Sequence, residues 1–430
     1  MWRRGFGPLR PLPLPAPLPV LVRRSFAFKL TLLTLLWLLL AIGCQQVPVQ
    51  AFWPALFGAL TTPAALLCTL LLALYWLRRN WRVALLPLVA LALTWPHVQR
   101  GLALHAPSAA ALTEIASGKE EAGAESRRAG RGQPAAWEQK IPHSAFFLPA
   151  PKSVALLSAN ARIFNVYAQL RDPDNASSKG FIKWLADSPA DVLCLQEYYN
   201  EPGGSDENGR VFRTEQALGR ASGRHSFVST SLTNRIGAEF GMAIFSRFVI
   251  VRRGVIPFGP LTQNHAMWAD LARPAARTGT GRPDTIRVFN VHLQSMSMAE
   301  ADIVTATGSR AGLRQKAPNL LRRFRHGAAA RGTQVDTVLA RVLRSPYPVL
   351  LAGDLNDLPY SYTYDQLADH LRNAWATVGF GIGATYNGKL PCLRIDQQFA
   401  SPQWQVQGCR VHQEIKWSDH FPVEGLYQLR

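Results

Sequence analysis

The sequence predicts a mixed α/β domain built on a large central sheet system, preceded by a membrane segment. Three observations carry that expectation. Seven short apolar runs of β type recur between residues 154 and 427, helical patterns separate several of them, and the first quarter of the 430-residue chain differs in composition from the rest. A chain of this length has room for more than one unit.

The N-terminal quarter comes first. Through Leu104 there are ten Lys or Arg and no Asp or Glu, the first acid being Glu114; the remainder has 37 basic and 28 acidic residues, or +9 of the total +19. Three apolar runs lie here, about 30–44, 52–77 and 83–95 with a weaker tail to Leu104. Crossing a bilayer takes roughly 20 apolar residues, so the reading is three transmembrane helices within residues 26–104. Pro87 and Pro96 interrupt the third, for which a re-entrant or interfacial helix is the alternative. Arg23, Arg24 and Lys29 before the first run, and Arg78, Arg79 and Arg82 between the second and third, place the N-terminus in the cytoplasm. Three crossings then put everything after Leu104 on the extracytoplasmic, periplasmic side of a plasma or inner membrane. Residues 1–25, rich in Pro and Arg, read as a disordered lead; the two later apolar runs argue against a removed signal peptide, although Ala41-Ile42-Gly43-Cys44 has some likeness to a lipoprotein cleavage site. Residues 105–150, poor in large apolar side chains, read as a flexible linker, and 151–430 as one domain large enough for its own core.

Within that domain the β-type runs are 154–159, 191–196, 241–245, 286–292, 348–353, 394–399 and 421–427, with helical patterns at 177–187 and 335–343. Polar residues fall mostly at their ends: Asn160, Glu197, His292 and Asp354 each terminate an apolar run. A buried strand that delivers one polar residue at its tip holds that residue rigidly. The cysteines show no Cys/His metal spacing; Cys194 reads as a buried small hydrophobe, and Cys392 with Cys409 is a disulfide pairing the sequence leaves open.

Hydrolysing a phosphate ester near neutral pH requires a cation on the phosphoryl oxygens, an activated water and a proton donor for the leaving oxygen. Glu197, Asp354, Asn356 and Asp419 offer the hard oxygens that Mg²⁺ or Mn²⁺ prefers, Asn160 offers a neutral oxygen or a donor, and His292 and His420 titrate near neutrality. Singly, each has an ordinary explanation as a turn, cap or solvated residue. Together and in this order, chance explains them poorly.

The residues Asn160, Gln196-Glu197, His292-Leu293, Gly353-Asp354-Leu355-Asn356, Arg394-Ile395-Asp396 and Ser418-Asp419-His420 give residues 154–427 a resemblance to the endonuclease/exonuclease/phosphatase superfamily, also called deoxyribonuclease-I-like. The N-terminal segment adds a membrane-anchored, bacterial type of member. The resemblance implies an α+β fold, a four-layer α/β/β/α sandwich of two sheets packed face to face. It also implies roles: Glu197 as principal metal ligand helped by Asn160 and Asp419, Asp354 and Asn356 on the attacking water, His292 and His420 on the phosphate and its protons, and Asp396 locking an imidazole. Which imidazole is acid and which base stays open. Asp357 is expected to stabilise its own loop, Gln294 and Ser295 to contact phosphate or cap, and Glu239 is the one acid on offer as a partner for His292.

The expected function is a membrane-anchored, divalent-metal-dependent phosphoester hydrolase using Mg²⁺ or Mn²⁺; an inactive phosphate-ligand or lipid-headgroup binding protein is the alternative. The substrate is left among nucleic acid, phospholipid headgroups and small phosphate esters, with the bilayer as the other partner and no protein partner inferred. A basic run, Arg310, Arg314, Lys316, Arg322, Arg323, Arg325 and Arg331, reads as a solvated helical insertion ahead of a nucleic-acid groove, while a patch for anionic lipid suits the topology better; the sequence does not choose among the three.

Overall fold

Residues 153–160 form a strand because Ser-Val-Ala-Leu-Leu-Ser-Ala-Asn is apolar on both faces, and the strand is buried along its whole length. That is the pattern of a central strand covered on two sides, and it sets the architecture. The structure is a computed structural model that describes residues 25–105 and 152–430, except 168–169, 171, 206, 260–261, 276–280, 282–283, 296–309 and 391. The predicted lead (1–25) and linker (105–150) lie almost wholly outside the described residues.

Two six-stranded mixed sheets make the domain. The first contains β2 (Ser153–Asn160), β3 (Val192–Asn200), β4 (His225–Thr233), β5 (Glu239–Ser246), β13 (Trp404–Val411) and β14 (Val423–Leu429), in the order β13-β14-β2-β3-β5-β4. The second contains β6 (Val249–Pro257), β7 (His265–Arg273), β8 (Asp284–His292), β9 (Val349–Asp354), β10 (Arg372–Asn373) and β12 (Asp396–Ala400), in the order β10-β12-β9-β8-β7-β6. Their inner faces interlock through Val154, Leu156, Val192, Ile244, Met267, Val288, Leu350 and Tyr427, all buried. Each such side chain contributes about 1.5–3 kcal/mol on burial. Outside the first sheet lies a helix at Ala176–Asp187, with Phe181, Trp184 and Leu185 turned inward. Outside the second lie helices at Arg310–Leu343 and Tyr362–Ala368, through Val335, Val338, Val342, Tyr364 and Leu367. This is the α/β/β/α sandwich that the resemblance implies.

The N-terminal unit differs from expectation. Among the described residues, helix α1 (Phe26–Gln45) is the one helix long and apolar enough to cross a membrane; the second predicted span is divided into α2 (Ala55–Leu60) and α3 (Thr62–Arg79), and the third into α4 (Trp81–Leu93) and α5 (Trp95–Gly101), bent by 63°. At most two helices qualify, counting that bent pair as one span. The breaks fall at Pro63 and Pro96, each in the first turn of its helix, where a ring without an N–H ends the preceding ladder.

A short strand, β1 (Ala103–Leu104), pairs with β11 (Phe380–Gly381), joining this unit to the domain. Arg100 forms an ion pair with buried Asp365 at 2.6 Å and donates to Gln45 Oε1 at 3.0 Å. Arg394 donates to the Arg100 carbonyl and Tyr360 to the His97 carbonyl. Cys392 and Cys409 are both free thiols.

Away from the strand tips, His412 is buried between two acids, Nδ1 2.9 Å from Glu414 and Nε2 3.0 Å from fully buried Glu424. Burial alone would lower its pKa, but the two carboxylates outweigh that and hold it above 6.5. The imidazolium's stabilisation is therefore complete below the unfolded value of about 6.5 and is lost as pH rises through the folded value. His412→Gln, which removes the imidazolium between the two acids, is expected to cost about 3–5 kcal/mol at low pH. Thermal unfolding of both chains at a series of pH values checks this: the gap should narrow with rising pH, and a constant gap would contradict it.

Candidate active site

The site lies where the C-terminal ends of β2, β8 and β9 meet the middle of β3, at its bulge, and the start of β12. Parallel pairing sets Asn160 beside Gln196 and His292 beside Asp354, while antiparallel pairing sets Asp396 beside Asp354. The loop between β13 and β14 brings in Asp419 and His420.

Two backbone irregularities aim these side chains. Glu197 has φ +44° in a bulge where β3 slips register against β5, between Leu195 and Tyr198. The extra residue breaks the alternation and re-aims the carboxylate. Gly353 has φ +147°, and a Cβ there would collide with the Val291 carbonyl oxygen, so only glycine lets β9 approach β8 this closely ahead of Asp354. Behind the site Gln196 donates to Asn290 Oδ1 at 2.6 Å, and Asn290 donates to the carbonyls of Leu195 and Ala243 at 2.9 and 3.0 Å. These buried amides tie the two sheets together where the tips converge.

Asp354, 1 % exposed, is the hub. Its Oδ1 accepts from the Asn356 backbone N–H at 2.8 Å, and its Oδ2 accepts from the side-chain amides of Asn160 and Asn356, each at 3.2 Å. Asn160 Nδ2 also donates to Glu197 Oε1 at 3.1 Å, while its Oδ1 accepts from the Arg162 N–H. His292 Nε2 lies 3.9 Å from Glu197 Oε1 and 3.8 Å from Asp354 Oδ2, and His420 Nε2 lies 3.9 Å from that same Asp354 oxygen. His420 Nδ1 is 2.9 Å from Asp396 Oδ2. Asp419 sits at the rim, its Oδ2 3.3 Å from Arg162 Nε. The structure thus gathers Asn160, Glu197, His292, Asp354, Asn356, Asp396, Asp419 and His420 around one point.

Other candidates have different places. Glu239 is not a partner of His292: it accepts from Asn200 Nδ2 at 2.8 Å, and the acids facing His292 are Glu197 and Asp354. Asp357 accepts from Arg331 Nε at 3.0 Å and from the Leu358 N–H, so it holds its own loop. Gln294 is fixed by its backbone, which donates to Gln334 and accepts from Arg331. Sequence reasoning missed Tyr386, whose ring meets that of His420 edge-on at 5.7 Å, and Asn387, which donates to the carbonyls of Asp419 and Ser418. Neither belongs to an apolar run or a recognisable cluster. Arg162, two residues past Asn160, carried a signal in that proximity. Tyr386, Asn387, Arg162, Lys416 and Trp417 wall a cavity of about 610 Å³ next to Asp419.

The two imidazoles titrate in opposite directions. Burial lowers the His292 pKa, with Asp354 opposing only in part. For His420 burial also acts downward, but Asp396 and Asp354 together raise the pKa well above 6.5. Burial, reinforced by Asp396, pushes Asp354 up to about 6 against the pull of both histidines. Glu197 keeps 41 % side-chain exposure in a crevice, yet the protein around it raises its carboxyl pKa, with the Asn160 hydrogen bond opposing. Titratable groups pushed apart by their surroundings are characteristic of paired acid and base roles.

The donor set suits a hard divalent cation: Glu197 has an accessible carboxylate, with the Asn160 amide and the Asp419 carboxylate near it, and no sulfur is present. Asp354, Asp396 and His420 also each offer a ligand atom within 4.8 Å of the other two. In that second set, however, His420 Nδ1 is already engaged by Asp396.

Carboxylates, amides and two unlike imidazoles presented on the facing tips of two sheets define a phosphoester hydrolase. The chain belongs to the Endonuclease/Exonuclease/phosphatase family, which matches residues 163–420, more than half its length. Residues 23–101 match a second family, a domain of unknown function, DUF8431. No curated protein matches the chain. Similar solved structures include an endonuclease/exonuclease/phosphatase from Beutenbergia cavernae (21 % identity, 65 % of this chain and 72 % of that one, TM-score 0.45). The human Nocturnin catalytic domain with bound sulfate is 16 % identical over 66 % of this chain and 97 % of that one, with a TM-score of 0.44. A mannosyl-6-phosphatase from Bacteroides thetaiotaomicron is 16 % identical over 64 % and 99 %, with a TM-score of 0.42.

Proposed function

We propose that the chain is a membrane-anchored, divalent-cation-dependent hydrolase in which water attacks the phosphorus of a phosphoester. The observation that carries this reading is the convergence on buried Asp354 of two imidazoles and two side-chain amides, with Glu197 alongside. Glu197 with Asn160 and Asp419 would hold Mg²⁺ or Mn²⁺, which would supply Lewis-acid stabilisation of the phosphoryl oxygens. Asp354, oriented by Asn356, takes the proton of the attacking water. Neutral His292 donates a hydrogen bond to a phosphoryl oxygen. His420, its tautomer fixed by Asp396, carries the positive charge that meets the developing negative charge and protonates the leaving oxygen.

Support for the membrane reading comes from an inverted distribution of polarity. In the N-terminal unit the polar side chains are inside: Trp76 donates to Thr31, Gln45 to Thr62 and Trp37 to Thr61. The exposed side chains are apolar, among them Phe26, Leu33, Leu39, Leu71, Leu85 and Leu93. A water-soluble unit reverses that arrangement, whereas helices in lipid adopt it. One span is enough to set sidedness: Arg23, Arg24 and Lys29 hold the start of α1 in the cytoplasm, and its far end passes to a loop that touches the catalytic domain. The catalytic domain is accordingly extracytoplasmic.

The test uses the full chain in nanodiscs, with Mg²⁺, Mn²⁺ or EDTA, against single- and double-stranded DNA, RNA, a phosphomonoester and headgroup-labelled phospholipids. Cleavage of one class that stops with EDTA is expected. Cleavage undiminished by EDTA would remove the cation from the mechanism, and a folded chain inert on every substrate would favour a binding protein.

A further inference from the structure

Helix α6 (Ala176–Asp187), the short helices α7 (Glu207–Val211) and α8 (Thr214–Leu218), and α9 (Arg310–Leu343) complete the chain order as far as the basic run. The C-terminal half of α9 packs into the core through Val335, Val338, Leu339 and Val342, whereas Leu321, Arg322, Arg323, Arg325 and His326 in its N-terminal half are exposed. From Arg310 to Val335 the sequence has seven Arg or Lys and no acid. Arg331 is buried on Asp357, whereas Arg322, Arg323, Arg325 and His326 are exposed together, with Leu321 beside them 41 % exposed.

This basic half does not stand over the sheet. Its inner end sits on the loop that joins α1 to α2 and on α2 itself: Arg325 lies over the Trp53 ring at 5.6 Å and the Phe324 ring meets that of Phe57 at a tilt, 5.6 Å between centroids, while just beyond, in the C-terminal half, Gln50 donates to the Ala329 carbonyl at 2.7 Å and to Thr333 at 2.8 Å. Val49, Leu56 and Ala328 close a small core between them. Phe52, 57 % exposed, continues the apolar belt of the N-terminal unit up to the foot of the helix. An apolar belt that ends in aromatic side chains, with arginines directly above, has the polarity profile of a bilayer from acyl chains to headgroups.

We propose that the N-terminal half of α9 lies on the membrane surface and binds anionic phospholipid headgroups through Arg322, Arg323 and Arg325. Charge complementarity and continuity with the apolar belt favour lipid over nucleic acid. Arg331 and Gln334 on the same helix hold Asp357 and Gln294, next to the site. The headgroup contact therefore sets the height of the catalytic mouth above the bilayer.

The inference rests on the membrane reading above, and its test separates the two. The full chain is incorporated into nanodiscs of phosphatidylcholine alone or with phosphatidylglycerol, and amide hydrogen exchange of residues 316–326 is followed. Exchange is expected to slow several-fold with phosphatidylglycerol, to recover in high salt, and to show no lipid dependence in Arg322→Gln/Arg323→Gln, which leaves the Arg325–Trp53 contact intact. Equal exchange in both discs overturns the proposal while leaving the anchor standing. Protection that appears only on adding single-stranded DNA overturns it in favour of a nucleic-acid groove. A chain that fails to float with vesicles overturns both readings.

Discussion

His420→Ala is expected to lower turnover by about 10²–10⁴-fold, the range for a positioned general acid or base, while the protein stays folded. The ring is held from two sides, Nδ1 on Asp396 at 2.9 Å and Nε2 facing Asp354 at 3.9 Å, and Tyr386 lies against its edge. Alanine removes the proton donor, and it also removes the positive charge between two buried carboxylates. The loss belongs in kcat more than in KM if the charge acts mainly as the leaving oxygen departs. Turnover of the full chain on whichever substrate class it cleaves, with a thermal melt as the control for folding, is the measurement. Wild-type kcat in a folded variant would remove His420 from the mechanism. Asp396→Asn gives the companion result: the ring remains but loses the negative charge that holds its tautomer and its proton, so kcat should fall by less and the variant's pH profile should shift.

The second large effect is expected at Glu197. Glu197→Gln keeps the size and the oxygen that accepts from Asn160, but it removes the charge that a divalent cation needs. Supporting residues around metals typically change affinity about 10–100-fold, and a direct ligand should change it by at least that much. Mn²⁺ binding to the full chain, followed by electron paramagnetic resonance without any substrate, reads this directly. If Mn²⁺ binds Glu197→Gln as it binds the parent, and Asp396→Asn abolishes binding, the cation sits instead in the Asp354–Asp396–His420 cluster. Loss in Glu197→Gln with retention in Asp396→Asn supports the crevice.

The strands that carry the site were legible because each is a buried apolar run broken by one polar residue: Leu-Leu-Ser-Ala before Asn160, Leu-Leu-Ala-Gly before Asp354. Such strands announce themselves by composition. Strands β4 and β6 did not: each is at the edge of its sheet, and Val249, Val251, Arg252 and Arg253 face solvent, so no two-residue alternation marks the run. β7 was missed for another reason. His265 to Arg273 mixes Trp268, Asp270 and Arg273 into a buried strand, and Asp270 is tolerated there only because Arg287 of β8 pairs with it at 2.6 Å. A cross-strand partner is invisible in a linear reading. The same holds for His420 and Asp396, 24 residues apart, whose contact depends on which strands the fold makes neighbours. In the N-terminal segment hydropathy found the apolar runs and Pro96 already marked an interruption of the third, but hydropathy could not foresee that Pro63 divides the second into two shorter helices.

The docking of the N-terminal unit on the sandwich changes what the intervening stretch of chain is for. Residues 105–150 separate the two units in sequence, yet β1 already pairs with β11, Arg100 already meets Asp365, and Tyr360 already packs on Leu38, Ala65 and Leu66 before that stretch begins. The joint between the two units is therefore closed by contacts outside that stretch. A hydrolase mounted on a free leash sweeps a hemisphere, with leash length setting its radius. With the anchor proposed above, this one would keep a fixed elevation: its search would be two-dimensional, among molecules that diffuse within, or brush against, a single plane.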